Sequence, residues 1–150
     1  MTHGPWPLLV FALGCGAEIG DSCSQNTDCD PQGTRICDQS QPDGYCTIES
    51  CDEDTCPEEA ICVRFFPAPF LTRSCADPGD CAPDELCLSD GFCTPLSTER
   101  RYCVRRCGTD GACRDGYQCQ RTGIGGTELA QTLDRYDPAR VGRFCAPVPL

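Results

Sequence analysis

The chain has 150 residues, 17 of them cysteine, and a formal net charge of −11. So much cysteine is typical of small exported proteins whose disulfides compensate for a small apolar core, and it argues against the reducing cytosol. The negative charge argues against binding to nucleic acid or anionic lipid through the overall electric field. We therefore expect an extracytoplasmic protein without a nucleic-acid partner.

The first predicted element is a short apolar segment at residues 6–13 (WPLLVFAL). Eight residues are too few to span a bilayer, but they suit the apolar region of a signal peptide. We expect residues 1–14 to be a cleaved signal peptide, even though no Lys or Arg precedes the apolar segment. The alternative is that this segment forms a buried strand of the mature protein.

Residues 12–15 (ALGC) resemble the lipobox of bacterial lipoproteins, in which a small residue precedes a cysteine that is lipidated and becomes the new amino terminus. The two residues before Gly14 depart from the usual order. The resemblance implies lipid attachment at Cys15, a tether over residues 15–22 and a membrane contact through that lipid. Removing Cys15 from the 17 cysteines leaves an even number, 16, which suits eight disulfides. The alternative is ordinary secretory cleavage that leaves Cys15 free or paired.

From residue 23 onward the cysteines recur with a common spacing, which indicates an internal duplication. The segment SCSQNTDC (22–29) matches SCADPGDC (74–81), and DGYCT (43–47) matches DGFCT (90–94). The segments DGYCT and DGFCT each begin with residues that favour a tight turn and continue with an aromatic residue and a cysteine. We therefore predict short β-hairpins that turn at Gly44 and Gly91.

A second repeated pattern follows each of these segments. Residues 45–62 parallel residues 102–119, and each pattern continues through a variable loop to a closing cysteine, Cys75 or Cys145.

The duplication predicts two cysteine-rich modules, residues 23–74 and 75–150. The spacing does not determine which cysteines pair, because even eight cysteines allow 105 connectivities. The predicted disulfide cysteines are Cys23, Cys29, Cys37, Cys46, Cys51, Cys56, Cys62, Cys75, Cys81, Cys87, Cys93, Cys103, Cys107, Cys113, Cys119 and Cys145.

One short helix is expected at residues 126–136 (GTELAQTLDRY). Thr127 would cap it, and its apolar residues recur at three- and four-residue spacing. The predicted fold is therefore small and disulfide-rich, with tandem modules, short hairpins, one short helix and little other regular structure.

The C-x5-C-x5-C segments at residues 75–87 and 107–119 resemble those of cysteine-rich lipoproteins from GC-rich Gram-negative bacteria. More distantly, they are similar to the N-terminal cysteine-rich domain of the Dickkopf family. The resemblance covers residues 23–145 and implies a disulfide-rich extracellular module. Dickkopf proteins bind receptors, but the shared feature is the cysteine frame and not a set of binding residues.

The residue types argue against catalysis and cofactor binding. The chain has no lysine, and its only histidine, His3, lies in the predicted signal peptide. This excludes histidine-dependent nucleophiles and Schiff-base lysines from the mature chain. Zinc knuckles of the C-x2-C type are absent, and the acidic residues 52–59 lack the spacing of an EF-hand. We therefore expect no catalytic residue, no metal site and no cofactor.

An aromatic loop at residues 63–73 (VRFFPAPFLTR) is the candidate partner-binding site. Its apolar side chains either form a small core beneath the hairpins or are exposed to a partner, since aromatic residues dominate interface hot spots. A second candidate is the long loop between residues 119 and 145. The predicted partner-binding residues are Phe65, Phe66, Phe70 and Leu71.

Together these features predict a surface-anchored, non-catalytic, cysteine-rich lipoprotein that presents loops to a protein partner. Two alternatives remain open: a secreted disulfide-rich inhibitor or toxin-like effector, and a passive structural coat component. If it is lipidated, the protein belongs at the outer membrane or cell surface; otherwise it is secreted.

Overall fold

The computed structural model describes residues 16–132, 137 and 139–149, so the predicted signal peptide and Cys15 lie outside the described residues. This part of the chain contains one four-residue α-helix, α1 (Asn26–Cys29), and no helix long and apolar enough to cross a membrane. It also contains four three-residue 3-10 helices: Ala68–Phe70, Pro78–Asp80, Leu96–Thr98 and Asp110–Ala112. Its strands are β1 (Ile36–Cys37), β2 (Cys46–Thr47), β3 (Ala60–Phe65), β4 (Arg73–Ser74), β5 (Glu85–Cys87), β6 (Phe92–Pro95), β7 (Arg100–Arg105), β8 (Tyr117–Arg121), β9 (Thr127–Leu129) and β10 (Arg143–Pro147).

Eight disulfides connect these strands, and they follow one rule. The sixteen cysteines form four units of four, and in each unit the first cysteine pairs with the third and the second with the fourth. The pairs are Cys23–Cys37 and Cys29–Cys46 in unit A, Cys51–Cys62 and Cys56–Cys103 in unit B, Cys75–Cys87 and Cys81–Cys93 in unit C, and Cys107–Cys119 and Cys113–Cys145 in unit D.

Unit C is inserted into unit B. Strand β3 pairs with β7 over six residues, and Phe65 at the end of β3 lies opposite Arg100 at the start of β7. Residues 66–99, which contain unit C, are therefore the connection of a long antiparallel hairpin. The expectation that Cys75 closes the preceding unit is wrong, because the β3–β7 pairing brings Cys103 to that position. The Cys56–Cys103 disulfide also links the two modules that the sequence suggests.

The described strands form four small antiparallel sheets, ordered β1-β2, β8-β10, β7-β3-β9 and β4-β6-β5. The two predicted hairpins are present as β1–β2 and β5–β6. Gly44 and Gly91 lie in their turns with φ of 66° and 84°, a region that glycine adopts without a Cβ clash. A Cβ on Gly44 would lie 2.0 Å from the carbonyl oxygen of Cys23, so this turn also requires a close backbone approach.

The matching aspartates of units A and C have the same local role. Asp28 and Asp80 each precede the second cysteine of their unit, and each carboxylate accepts backbone N–H groups from the two residues that follow the first cysteine. The N···O distances are 2.8 and 3.0 Å for Asp28 and 2.8 and 3.2 Å for Asp80. These hydrogen bonds hold the pKa of both carboxyls below its usual value.

The helix predicted at residues 126–136 does not form at its start. Residues 127–129 are strand β9, which pairs with β3, placing Leu129 opposite Val63 and Thr127 opposite Phe65. Pairing with an existing sheet outweighs the weak helical preference of a short segment, because it gives the backbone N–H and C=O groups hydrogen-bond partners and covers Val63. Residues 133–136 lie outside the described part of the chain.

Candidate functional site

A groove of about 490 Å³ lies where units A, B and D meet. Its volume is within the range of protein sites that enclose a small ligand or a few side chains. We call it the aromatic groove, after the six aromatic residues that line it: Tyr45, Phe65, Phe66, Tyr102, Tyr117 and Phe144.

Three rings from different strands pack together in the lining of the groove. Phe65 of β3 makes edge contacts with Tyr102 of β7 and Phe144 of β10, at centroid distances of 6.0 and 5.8 Å. Such edge contacts stabilise a ring pair by about 0.5–1.5 kcal/mol beyond the burial of its area. These contacts connect the central sheet to the β8–β10 sheet.

Tyr45 and Tyr117 line the groove at the junction of units A and D, and the Arg114 guanidinium packs against both rings. The guanidinium of Arg114 lies 4.4 Å from the Tyr117 ring centroid and 5.7 Å from that of Tyr45. Its Nη2 donates hydrogen bonds to the carbonyl oxygen of Pro42 and to the Tyr117 hydroxyl, both at 2.8 Å. Burial raises the pKa of Tyr45 to about 12, and the Tyr45 hydroxyl accepts a hydrogen bond from the backbone N–H of Arg105.

The groove is charged near the Tyr102 hydroxyl. Burial raises the pKa of Tyr102, the carboxylates of Glu49 and Asp38 raise it further, and Arg100 opposes them. Asp38 is held in place because its Oδ1 accepts hydrogen bonds from the backbone N–H and the hydroxyl of Ser40, at 2.9 and 2.6 Å. Asp38 and Arg100 line the groove here, and Glu49 lies opposite Tyr102 in an isolated antiparallel bridge.

The predicted aromatic loop is divided between interior and surface. Phe66 is 3% exposed and Phe70 is 46% exposed, whereas Phe65 and Leu71 are half-buried. The loop packs on Gly126: the Phe66 N–H donates to its carbonyl oxygen at 2.8 Å, and a Cβ on Gly126 would lie 3.0 Å from Cδ1 of Leu71. Phe65 and Phe66 line the groove, so the loop contributes part of its wall.

Each unit also brings several cysteine sulfurs within 4.8 Å of one another. These sulfurs are all in disulfides and lack the thiolate that binds a metal ion. Their clustering therefore reflects the interlaced pairing of each unit.

No protein-family model matches the chain, and no solved structure matches it significantly. Over 106 residues it is 30% identical to Turripeptide OL55-like from Lophiotoma acuta, and the alignment covers 67% of this chain and 95% of the relative. The chain belongs to the turripeptide OL55-like family. Because the alignment covers almost the whole relative, the likeness to Turripeptide OL55-like is not confined to one cysteine-rich segment.

In this member of the turripeptide OL55-like family, sequence reasoning missed four residues of the groove: Tyr45, Tyr102, Tyr117 and Phe144. The aromatic-cysteine pairs Tyr45-Cys46 and Phe92-Cys93 are part of the predicted hairpins, but the overlooked signal is that an aromatic residue precedes the fourth cysteine of every unit, including Tyr102-Cys103 and Phe144-Cys145. Three of these four aromatic residues line the groove. The same signal identifies Cys103 as the closing cysteine of unit B, since Cys75 follows a serine.

Proposed function

We propose that this protein is an exported, non-catalytic, toxin-like effector that binds a protein target through the aromatic groove. The observation that carries the proposal is the convergence of six aromatic side chains from three disulfide-linked units on one groove. Aromatic residues in well-packed pockets supply most of the free energy of many protein interfaces. A site that is rigid before binding also loses less conformational entropy when a partner docks.

Export and the absence of catalysis rest on chemistry. Eight disulfides persist in oxidising compartments and are rare in the cytosol. The chain has no lysine and its only histidine, His3, lies in the predicted signal peptide, so the mature chain would lack histidine, the side chain that most often transfers protons near neutral pH. Membership of a family named for a turripeptide supports an effector that acts by binding.

The test fills the groove and leaves its scaffold intact. Gln120 lines the groove on β8, so Gln120→Trp places an indole where a partner side chain would sit. Gln32→Trp is the matched control, because Gln32 is exposed in a turn of unit A and does not line the groove. Both variants should retain the wild-type disulfide map and near-UV circular dichroism spectrum.

The readout is binding of peptides selected from a phage-displayed random library against the immobilised wild-type protein. We expect the selected peptides to bind Gln120→Trp about ten-fold more weakly than wild type, a loss of about 1.4 kcal/mol, and to bind Gln32→Trp unchanged. A library that yields no binder, or binders that ignore Gln120→Trp, would reject the groove as the binding site. The first of these results would favour a passive coat component.

A second candidate function, lipid anchoring, is favoured by the cysteine count. Sixteen cysteines pair with one another, so no described cysteine is left to pair with Cys15, the seventeenth. Lipid on this sulfur would attach the protein to a membrane and present the groove there. The intact mass of the mature protein tests this: a diacylglycerol-sized increment that Cys15→Ser removes supports anchoring, and an unmodified soluble product contradicts it.

A further inference from the structure

We propose that residues 66–99, which we call the insert, form a hinged module that is latched to residues 123–128, and that release of this latch opens one wall of the aromatic groove. This inference rests on the proposed function and adds a means of regulating the same site. It joins three features of the molecule: a hinge, a separate framework for the insert, and a small set of polar contacts that holds the insert in place.

The insert leaves and re-enters the central sheet at one point. Phe65, the last residue of β3, lies opposite Arg100, the first residue of β7. The carboxylate of Glu99 accepts hydrogen bonds from Arg64 of β3, at 2.7 Å, and from Arg101 of β7. Both ends of the insert are thereby held side by side on one sheet, and this geometry suits a hinge.

The insert has a framework of its own. Its two disulfides join only residues of the insert, and its strands β4, β5 and β6 form one sheet. The apolar core that units A, B and D share in the described part of the chain includes no residue of the insert. Separation of the insert would leave that core buried, so it should cost less free energy than global unfolding.

Three hydrogen bonds to residues 123–128 hold the insert in place, and we call them the latch. The Glu128 carboxylate accepts the backbone N–H and the hydroxyl of Ser89 at 2.6 and 2.9 Å. The Asp90 carboxylate accepts the backbone N–H of Gly126 at 3.0 Å. Glu128 is buried but Ser89 is exposed, so water can compete for this contact from the side of the insert.

The latch adjoins the aromatic groove. Phe66 and Pro67 of the insert line the groove, as do Gly125 and Thr127 of the latched segment. The Phe66 N–H donates to the carbonyl oxygen of Gly126 at 2.8 Å, while the N–H of the same glycine belongs to the latch. Release of the latch therefore disturbs this wall, and the affinity of the groove falls with the fraction of molecules that remain latched.

The first experiment weakens the latch and leaves every cysteine in place. The latch variant is Asp90→Ala with Glu128→Gln. Asp84→Ala with Glu58→Gln is the matched control, because it makes the same changes at two exposed residues outside the latch. Hydrogen exchange of backbone amides in the whole protein, followed by NMR, measures the opening.

Three amides report on different parts of the molecule. The Phe66 N–H reports on the groove wall, the Cys75 N–H, bonded to Gly91 at 2.8 Å, on the insert, and the Cys103 N–H, bonded to Ile48 at 2.9 Å, on the shared core. We expect the latch variant to exchange about ten-fold faster at Phe66 and within about two-fold of wild type at the other two. Equal acceleration at all three amides, or none at Phe66, would overturn the hinge.

A new disulfide can close the latch permanently. A Cβ on Gly123 would lie 3.4 Å from the Cβ of Ser89, close to the spacing of about 3.5–4.5 Å in disulfides. Adding Ser89→Cys with Gly123→Cys to the latch variant should restore slow exchange at Phe66. Ser89→Ala with Gly123→Ala places the same strain at the positive φ of Gly123 without a cross-link, and it should restore nothing.

Binding of the phage-selected peptides connects the latch to the groove. We expect the latch variant to bind them about five-fold more weakly than wild type, and the cross-linked latch variant to bind them as wild type does. If exchange at Phe66 responds but affinity does not, the insert does not control the groove and this inference fails alone. If Gln120→Trp changes no affinity, the groove is not the site and both proposals fail.

Discussion

Replacing Phe66 by alanine should lower the free energy of unfolding by about 3–5 kcal/mol, the range for truncating a buried phenylalanine. The ring is 3% exposed, and the Arg64 guanidinium lies 5.3 Å from its centroid. The backbone hydrogen bond from Phe66 to Gly126 does not depend on the side chain, so the loss comes from the cavity and the missing ring contacts.

Phe70 provides a matched control in the same loop. It is 46% exposed, so Phe70→Ala should change the free energy of unfolding by less than about 0.5 kcal/mol. Guanidinium chloride unfolding with intact disulfides, followed by near-UV circular dichroism, measures both changes. For a chain of this size, the loss at Phe66 corresponds to a fall in Tm of about 10 °C.

The reasoning would be refuted if Phe66→Ala were as stable as wild type, because the ring would then be outside the core. It would equally be refuted if both substitutions had the same effect, since the structure places the two rings in opposite environments. An unchanged m value is required for the comparison, because it shows that the variants expose the same surface on unfolding.

Three further predictions concern the cross-links, the turns and the buried tyrosine. Peptide mapping without reduction should recover Cys56–Cys103, and replacing both cysteines by serine should lower the free energy of unfolding by about 4 kcal/mol, since the bond closes a 47-residue separation. Gly44→Ala should prevent oxidative folding, whereas Gly33→Ala, with a similar positive φ but nothing within 4 Å of its Cβ, should cost only about 1 kcal/mol. An absorbance titration at 295 nm should show a tyrosine with a pKa of about 12, which disappears in Tyr45→Phe.

The tyrosine shift has a definite sign for stability. Between pH 10 and 12 the unfolded chain loses the Tyr45 proton while the folded chain keeps it, so the free energy of unfolding falls as the pH rises through this window. A shift of about two pKa units corresponds to a total loss of about 3 kcal/mol, of which about 2 kcal/mol is reached at pH 12. Normal ionisation of all tyrosines near pH 10 would contradict the burial of Tyr45. A disulfide between Cys75 and a cysteine of unit B would contradict the insertion of unit C between Cys62 and Cys103.

The sequence by itself determined the features that depend on near neighbours. The cysteine content predicted a fold held by disulfides, and the structure confirms a small disulfide-rich fold with short strands. The turns at Gly44 and Gly91 were predictable because a left-handed backbone conformation before an aromatic-cysteine pair is a local property. The repeated aspartates were visible as a motif because their hydrogen bonds span only three or four residues.

Only the tertiary structure decided how these local pieces combine. Residues 127–129 form a strand because β3 offers an edge to pair with, a preference that the segment itself does not contain. Unit C could be recognised as a copy of unit A, but its insertion between Cys62 and Cys103 follows from the long β3–β7 pairing. The aromatic groove is decided in the same way, because side chains up to about a hundred residues apart meet only after the sheets have packed, and the free energy of that packing belongs to the whole chain.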